Sequence, residues 1–184
     1  PDLPVLYEKY PDALKKEQFL GDIQTDYSSR LATATDNSIY QVVPKVVLFP
    51  RSEKDIQKVF LLAAKPEFRT VTFSPRGGGT GTNGQSLTDG IMIDCSRFMN
   101  KIKQIDIAKG EVTVEPGVVL DQLNEVVEKE GVFFAPNLSP SNRATIGGMA
   151  NTDACGKGSR IYGRTSEHII KLKCLLVNGD VLET

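Results

Sequence analysis

Residues 74–86, SPRGGGTGTNGQS, combine closely spaced glycines with hydroxyl, amide and guanidinium side chains. Because glycine adopts positive φ angles and lets other groups approach the backbone, successive N–H groups of such a loop can surround an anion. Further hydrogen-bonding or charged groups come from Arg76, Thr80, Thr82, Asn83 and Ser86. The loop therefore predicts a site for a pyrophosphate-sized anion, and a mobile surface loop that binds nothing is the alternative.

Two well-known phosphate-binding patterns do not explain this loop. Residues 79–84, GTGTNG, satisfy the G-x-G-x-x-G spacing of dinucleotide-binding Rossmann domains. That pattern requires a helix to begin directly after the third glycine, whereas here the next strand is predicted to begin near Gly90. A P-loop requires Gly-Lys-Ser/Thr, and no lysine occurs between Lys65 and Lys101. The loop is therefore expected to bind its anion without a long helix behind it.

A second stretch rich in small residues covers residues 139–163, SPSNRATIGGMANTDACGKGSRIYG. Small side chains leave room for the backbone to pass close to something flat or crowded. Each glycine taken alone is explained by a turn. Taken with residues 74–86 and the strand end at residues 114–117, this stretch predicts a pair of glycine-rich walls around an extended cofactor.

Composition and charge argue against several classes of function. With 22 basic and 23 acidic side chains the formal net charge is -1, which leaves no electrostatic footprint for nucleic acid or an anionic bilayer. Cys95, Cys155 and Cys174 form no C-x-x-C pair and His168 is the only histidine, so metal catalysis and a Ser-His-Asp triad are poorly supported. Reduced thiols, with no signal peptide or membrane-length apolar run, predict a cytoplasmic protein without a transmembrane segment. Peripheral attachment to the inner face of the membrane stays open.

Hydrophobic patterning predicts an α+β domain. Apolar runs bounded by turn residues predict strands at residues 45–50, 69–75, 90–96, 102–108 and 111–117, the last two forming a hairpin across residues 109–110. Residues 169–183 predict a strand, a turn at residues 178–179 and the start of another strand. Periodic apolar positions predict helices within residues 12–20, after the N-cap Ser52 and over residues 119–127. Residues 1–40 are interpreted as an N-terminal arm and lead-in, and residues 41–184 as one domain. Because the chain starts at Pro1 and ends while a strand and turn pattern is under way, we expect an excised piece of a longer protein.

At its glycine-rich stretches the sequence resembles the FAD-binding domain of the vanillyl-alcohol-oxidase superfamily, also called the p-cresol methylhydroxylase (PCMH) type. The resemblance is carried by residues 75–80 with 84–86, and by residues 144–148 leading to residues 162–165 and His168. Residues 35–56 also resemble the entry strand and helix of this family. The resemblance implies a PCMH-type fold of two α/β subdomains with FAD between them, here truncated at the C-terminus.

In that family the pyrophosphate of FAD lies along the first stretch and the second flanks the flavin ring. In the first stretch the implied cofactor-binding residues are Arg76, Gly77, Gly78, Gly79, Thr80, Gly81, Thr82, Gly84, Gln85 and Ser86. In the second stretch they are Pro140, Ser141, Thr145, Gly147, Gly148, Asn151, Ala154, Gly156, Gly158, Tyr162 and Gly163.

Departures from the family pattern lead to further expectations. Covalently flavinylated relatives carry a histidine in the first stretch, where this chain has Thr80 and Thr82, so we expect noncovalent FAD. Cys155 stands where a glycine is usual and is interpreted as a small buried filler, with a thiol near the flavin as the alternative. His168 precedes an apolar strand and is interpreted as a structural histidine, with a catalytic base as the alternative.

Within the superfamily the sequence looks most like bacterial FAD-linked dehydrogenases of D-2-hydroxy acids, which include D-lactate, glycolate and D-2-hydroxyglutarate enzymes. The second stretch looks particularly like the large form with an appended iron-sulfur module. This implies oxidation of a D-2-hydroxy acid to the 2-oxo acid by hydride transfer to FAD, with a quinone, a cytochrome or an iron-sulfur centre as electron acceptor. Substrate-binding and catalytic residues are expected in a cap domain that this chain lacks.

Three alternatives stay open from the sequence. The first is another alcohol oxidase or dehydrogenase of the same superfamily, because the glycine-rich stretches would be shared. The second is a reductase of the UDP-N-acetylenolpyruvoylglucosamine type. The third is a non-enzymatic interaction domain in which the glycines serve only as turns.

Overall fold

The computed structural model describes residues 4–184, which form two compact units. Unit 1 contains the described residues up to Arg76, Gly81–Asp94 and Lys171–Thr184, and unit 2 contains Gly77–Thr80 and Cys95–Ile170. The helices are α1 (Val5–Lys16), α2 (Tyr27–Ala32), α3 (Glu53–Ala63), α4 (Leu120–Val127), α5 (Ile146–Thr152) and α6 (Ser159–Tyr162). The strands are β1 (Asp22–Gln24), β2 (Val46–Phe49), β3 (Phe73–Arg76), β4 (Ile91–Asp94), β5 (Ile102–Asp106), β6 (Glu111–Val114), β7 (Lys173–Leu175) and β8 (Val181–Glu183).

Unit 1 is built on a four-stranded sheet in the order β1-β2-β4-β3. Strand β1 pairs antiparallel with β2, whereas β4 pairs in parallel with both β2 and β3. Every residue of β2 and β4 is buried, as expected of central strands that are covered on both faces. The predicted strands at residues 45–50 and 90–96 are confirmed, whereas the one at residues 69–75 is observed only from Phe73 onwards.

Helix α3 contributes to the core of unit 1 and contacts the sheet through Phe60, whose ring lies edge-on to that of Phe73 in β3. The hydroxyl of Ser52 accepts a hydrogen bond from the N–H of Asp55 at 3.3 Å, so the predicted N-cap is confirmed. Val59 and Leu62 are buried on its inner face. Tyr10 of α1 donates its hydroxyl to the carbonyl of Val59 at 2.6 Å, which links the two helices.

The lead-in of unit 1 is more ordered than its polar composition suggests. Helix α1 runs over Val5–Lys16 rather than within residues 12–20, because Tyr10 and Leu14 are both completely buried and Gln18 ends the helix region with a φ of 59°. Asp55, itself buried, accepts the N–H of Leu20 at 3.0 Å with one carboxylate oxygen and that of Arg51 at 3.0 Å with the other. The lead-in is thereby fastened to the start of α3.

The C-terminal residues return to unit 1 as the antiparallel hairpin β7–β8. Gln57 of α3 donates to the carbonyl of Gly179 in the hairpin turn at 2.7 Å, and Glu53 forms an ion pair with Lys173 at 2.7 Å. The predicted turn at residues 178–179 is confirmed. The hairpin therefore completes unit 1 against the face of α3.

Unit 2 contains the predicted hairpin β5–β6 and the helix α4. Gly110 turns the hairpin with a φ of 67°, and Gly131 follows the end of α4 and a short 3-10 turn with a φ of 75°. Val118, Leu123 and Val127 form a buried cluster that packs against the inner side of the hairpin.

The sequence does not reveal the helices in the second glycine-rich stretch. Helices α5 and α6 lie in this stretch, where closely spaced glycines disfavour helix formation, and a 3-10 turn over Thr165–His168 follows it. Met149 of α5 is buried with Leu120 and Ala144, and this tertiary packing outweighs the propensity. Within residues 4–184, no helix combines the length and apolar character that a bilayer crossing requires.

Candidate functional site

Gly77–Thr80, the part of the first glycine-rich stretch that belongs to unit 2, lies against the start of the second stretch. A Cβ atom on Gly78 would overlap the backbone carbonyl of Arg143, and one on Gly77 would overlap the hydroxyl of Thr145. Arg143 donates from Nη2 to the carbonyl oxygen of Gly78 across 3.1 Å. The structure therefore brings the two predicted motifs together at a backbone separation that only glycine allows.

The same segment presents hydrogen-bond donors that have no acceptor within residues 4–184. Among the described residues, the backbone N–H groups of Gly78, Gly79 and Thr80 find no acceptor. Gly79 has a φ of 62°, a left-handed conformation that helps to point successive N–H groups towards one side. Gly79 is buried and Gly78 and Thr80 are half-buried, so these N–H groups are available to an acceptor such as a phosphate, and contact with one stays a prediction.

The remaining part of the first stretch, Arg76 and residues 81–86, belongs to unit 1 and is braced from within. Gln85 accepts the N–H of Asn83 at 3.0 Å, and its amide nitrogen lies 2.5 Å from where a Cβ on Gly81 would stand. The hydroxyl of Ser86 is buried and has no hydrogen-bond partner among the described residues. Gln85 thus shapes the loop, and direct contacts of Thr82, Gly84, Gln85 and Ser86 with a cofactor stay predictions.

Residues 140–144 form a turn that caps α4 with main-chain atoms. The carbonyl of Ser141 accepts the N–H of Asp121 at 3.2 Å, and the carbonyl of Ala144 accepts that of Leu120 at 2.9 Å. No side chain caps this helix, so these bonds satisfy N–H groups that would otherwise lack an acceptor. The structure therefore gives Ser141 a role in positioning the start of α4, while the carbonyl of Pro140 closes the turn by accepting the N–H groups of Arg143 at 2.9 Å and Ala144 at 2.8 Å.

The two adjacent glycines of α5 have different surroundings. Gly147 donates to the carbonyl of Pro116 at 2.9 Å, and a Cβ on Gly147 would lie 2.6 Å from the Cβ of that proline. A Cβ on Gly148 would meet only the hydroxyl of Thr145, at 3.1 Å, which caps α5 by accepting the N–H of Gly148. Gly147 is therefore required by the packing of the protein itself, whereas Gly148 has an open side on which a cofactor can lie. Asn151, one turn further, is exposed.

Residues 154–163 are held by contacts within unit 2. The carbonyl of Ala154 accepts both the hydroxyl of Thr165 at 2.6 Å and its N–H at 3.1 Å. A Cβ on Gly156 would overlap the carbonyl of Asn137. The other glycines have positive φ angles, 90° at Gly158 and 81° at Gly163. Backbone geometry accounts for these glycines, and contacts with a cofactor stay predictions.

His168 is used structurally. Its Nε2 donates to the carbonyl of Tyr162 across 2.7 Å, and its ring packs edge-on against Phe134 with the centroids 5.7 Å apart. The ring of Tyr162 is itself exposed and edge-on to Phe133 at 5.7 Å. The interpretation of His168 as a structural histidine therefore fits the geometry.

The interpretation of Cys155 as a buried filler is wrong, because its side chain is exposed. Asp153 ends α5 in the left-handed conformation, with a φ of 44°. Arg164 pairs with Asp153 at 3.1 Å and reaches the Cys155 sulfur at 3.7 Å. Hydrogen bonds from Ser166, with the charge of Arg164, lower the pKa of Asp153 below its usual value.

Sequence reasoning missed Arg143. The residue directly precedes the second motif, but nothing local shows that its guanidinium reaches back 65 positions to Gly78.

An open depression along α4 does not suit a phosphate, because it is lined by Asp121, Glu125 and Glu128, whose negative charges repel phosphate. Among the described residues no group of three or more His, Cys, Asp or Glu side chains is arranged to hold a metal ion.

A family model described as an FAD binding domain matches residues 44–184, and the chain belongs to this family. Among curated relatives, the D-2-hydroxyglutarate dehydrogenase of Haemophilus influenzae is 51% identical over 175 residues, which cover 95% of this chain and 17% of that protein. The mitochondrial cytochrome-type D-lactate dehydrogenase of Arabidopsis thaliana is 38% identical over 168 residues, covering 89% of this chain and 29% of that protein.

A solved structure of alkyldihydroxyacetonephosphate synthase superposes on the whole of this chain and on 39% of its own, with a TM-score of 0.85 and 23% identity. At that identity the likeness shows the fold alone. The predicted superfamily and its α+β fold class are confirmed. The chain spans only about a sixth of the length of the D-2-hydroxyglutarate dehydrogenase that it resembles.

Proposed function

We propose that this chain is the FAD-binding part of a flavin-dependent oxidoreductase that oxidises a D-2-hydroxy acid to the 2-oxo acid. The observation that carries the proposal is the contact of Gly77 and Gly78 with Arg143 and Thr145, next to unused N–H donors, in a member of the FAD binding domain family. The substrate class follows from the relative at 51% identity, whose name states that it is a D-2-hydroxyglutarate dehydrogenase. D-2-hydroxyglutarate is the first substrate to test, and D-lactate is the second.

In this proposal the described residues bind and orient the cofactor. The N–H groups of Gly78, Gly79 and Thr80 would hold the pyrophosphate, and the open side of Gly148 would face the flavin. When bound, FAD supplies an acceptor for the hydride that leaves the CH–OH carbon of the substrate. The Nε2–H group of His168 donates a hydrogen bond to the carbonyl of Tyr162, so we assign no catalytic proton transfer to this residue.

We place substrate binding and electron transfer in polypeptide outside these 184 residues. The match to the relative at 51% identity aligns only 17% of that protein's length, which leaves ample chain for a cap domain. The electron acceptor, whether a quinone, a cytochrome or an iron-sulfur centre, is likewise proposed to contact polypeptide outside these 184 residues. Anaerobic bleaching of flavin absorbance in the full-length gene product, by D-2-hydroxyglutarate but not its L-enantiomer, would support the assignment. Bleaching by neither enantiomer nor by D-lactate would contradict it.

FAD is proposed to be held noncovalently. Thr80 and Thr82 occupy the loop region where covalently flavinylated members carry a histidine, and the only histidine, His168, lies in a different segment. Acid precipitation of the loaded protein is expected to leave the yellow flavin in the supernatant. A yellow pellet after washing would contradict noncovalent binding.

The decisive experiment is titration of this chain with FAD, monitored by flavin fluorescence and by thermal shift. A ligand that binds only the folded state stabilises it by about 2.7 kcal/mol at 100 times its Kd, so saturable binding should raise Tm. Riboflavin, which has the same ring but no phosphates, is the matched control and should bind at least about tenfold more weakly, because each tenfold corresponds to about 1.4 kcal/mol of lost contacts. Absence of any saturable FAD effect both in this chain and in the full-length gene product would favour a non-enzymatic domain.

A further inference from the structure

Residues 35–41 form a compact loop in unit 1, which we call the clasp. A β-bridge between Thr35 and Gln41 closes its base. Inside it, the carboxylate of Asp36 accepts the N–H of Ser38 at 2.8 Å, and the hydroxyl of Ser38 accepts the N–H of Tyr40 at 3.1 Å. These local bonds hold the clasp in one conformation.

The clasp is bonded to both ends of a segment of the first glycine-rich stretch. The guanidinium of Arg76 donates to the carbonyl of Thr35 at 2.8 Å. The N–H of Asn37 donates to the carbonyl of Gly81 at 3.0 Å. Arg76 and Gly81 flank Gly77–Thr80, so the clasp fixes the chain on either side of the unused N–H donors.

A third contact joins the aromatic ring of the clasp to the same stretch. A Cβ on Gly84 would lie 3.0 Å from Cδ2 of Tyr40, so the ring rests on the glycine backbone. Gly84 has a φ of 72°, which lets the chain turn directly beneath the ring. Tyr40 is 55% exposed, so its side chain contributes little to the core of unit 1.

We propose that the clasp is a positioning element for FAD, and that Tyr40 holds residues 81–84 in the conformation that cofactor binding requires. This inference rests on the proposed function. Glycine-rich chain loses more conformational freedom on ordering than other chain, so a loop that is already held binds with a smaller entropic cost. Loosening the clasp should therefore act mainly on the dissociation of FAD, since affinity differences within one site lie mostly in the off-rate.

The test compares Tyr40→Ala with the matched control Tyr40→Phe in this chain. Tyr40→Ala removes the ring from Gly84, and we expect FAD to dissociate about 3–10 times faster, at most slightly slower association and an unchanged unfolding midpoint. Tyr40→Phe keeps the ring and should stay within about twofold of the unchanged protein. In the FAD-free chain, amide hydrogen exchange over residues 80–86 should be faster in Tyr40→Ala than in Tyr40→Phe.

A second pair of variants tests the main-chain contact. Asn37→Pro removes the N–H that Gly81 accepts, whereas Asn37→Ala retains it. Faster FAD release and faster loop exchange in Asn37→Pro, but not in Asn37→Ala, would agree with the Tyr40 result. If Asn37→Pro unfolds, the Tyr40 pair decides the question.

The outcomes separate this inference from the proposed function. If neither the unchanged chain nor the full-length gene product binds FAD, the proposed function fails. If only the full-length gene product binds FAD, the Tyr40 pair is compared in that protein. If it binds FAD and Tyr40→Ala releases it at the same rate as Tyr40→Phe, the clasp proposal is overturned and the proposed function stands. Faster loop exchange without faster FAD release would also overturn it, because the clasp would then order the loop without serving the cofactor.

Discussion

Gly78 and Arg143 make two close contacts with each other. A Cβ atom on Gly78 would overlap the main-chain carbonyl of Arg143, and the guanidinium of Arg143 donates to the carbonyl of Gly78 at 3.1 Å. Gly78→Ala should therefore destabilise the protein by about 1–3 kcal/mol, the usual cost of overpacking. Urea denaturation measures this. Any loss of FAD binding in this variant would accompany a lower unfolding midpoint, and full stability would contradict the close approach of these two residues.

Gly148→Ala is expected to separate folding from cofactor binding. The added Cβ would stand 3.1 Å from the hydroxyl of Thr145, its one close neighbour, which must shift slightly to admit it. Alanine in place of glycine within a helix stabilises by roughly 0.5–1 kcal/mol, which offsets that shift. The unfolding midpoint should therefore be unchanged or raised, while FAD affinity falls because the methyl group occupies the open side of α5. The neighbouring Gly147→Ala is the control, since its Cβ would press on Pro116 and should lower stability. Unchanged FAD affinity in Gly148→Ala would remove this residue from the proposed site.

Tyr10→Phe should destabilise the protein by about 1 kcal/mol, because the carbonyl of Val59 loses the hydroxyl that now lies at 2.6 Å. Burial raises the pKa of Tyr10 well above its usual value of 10. The folded state therefore resists ionisation of this tyrosine, and its contribution to stability is complete below pH 10 and declines as the pH rises above it. Urea denaturation between about pH 8 and 11 should show a smaller alkaline loss in Tyr10→Phe than in the unchanged protein. Parallel curves would contradict this.

Asp55→Asn should destabilise unit 1 by about 1–3 kcal/mol. Both carboxylate oxygens accept backbone N–H groups, those of Leu20 and Arg51, and an asparagine amide would turn its own N–H groups towards one of them. Asp12→Asn is the control, because that exposed carboxylate only pairs with Lys15 on the surface. Equal unfolding midpoints for the two variants would contradict the role assigned to Asp55.

Asp26, the N-cap residue of α2, should make the stability of the protein depend on pH in the acid range, and this effect can be tested without removing the cap. Hydrogen bonds from the hydroxyl of Ser28 and the N–H of Ser29 lower its pKa to about 2. Because the folded-state pKa lies below the unfolded value, the contribution of Asp26 is complete above about pH 4 and is lost as the pH falls towards about 2. Asp26→Asn keeps an N-cap residue but cannot titrate, so its stability should fall less steeply between about pH 4 and 2. Identical slopes in unfolding experiments would contradict this expectation.

The elements that the sequence predicted are those whose signal is local. The residues of β2 and β4 are continuous apolar runs bounded by turns, and Ser52 precedes a periodic helix, so strands and helix could be located. The three-residue β1 carries no period of its own and is formed by pairing with β2. Helix α5 begins with two glycines after Ile146 and depends on the buried contacts of Met149, which no local pattern reports.

The candidate site divides in the same way. The resemblance of the two motifs to those of a known family was sufficient to identify the family, because the motifs are specific in order and composition. Spacing could not show which glycines serve the packing of the protein, since Gly147 is required by Pro116 and Gly156 by Asn137, both distant in sequence. Nor could it show that Cys155 is exposed, because exposure depends on the tertiary packing around the residue.

The return of residues 171–184 to unit 1 constrains the order in which the contacts of this unit can form during synthesis. Gln57 can donate to the carbonyl of Gly179 only after the chain has been extended by 122 residues, and Glu53 can pair with Lys173 only after Lys173 has been made. Because a ribosome releases the N-terminal residues first, α3 emerges long before the hairpin that covers it, and residues 95–170 are made in between. Unit 1 therefore cannot complete its folding until residues 171–184 have been made, and the face of α3 that carries Glu53 and Gln57 stays uncovered by the hairpin while residues 95–170 are synthesised.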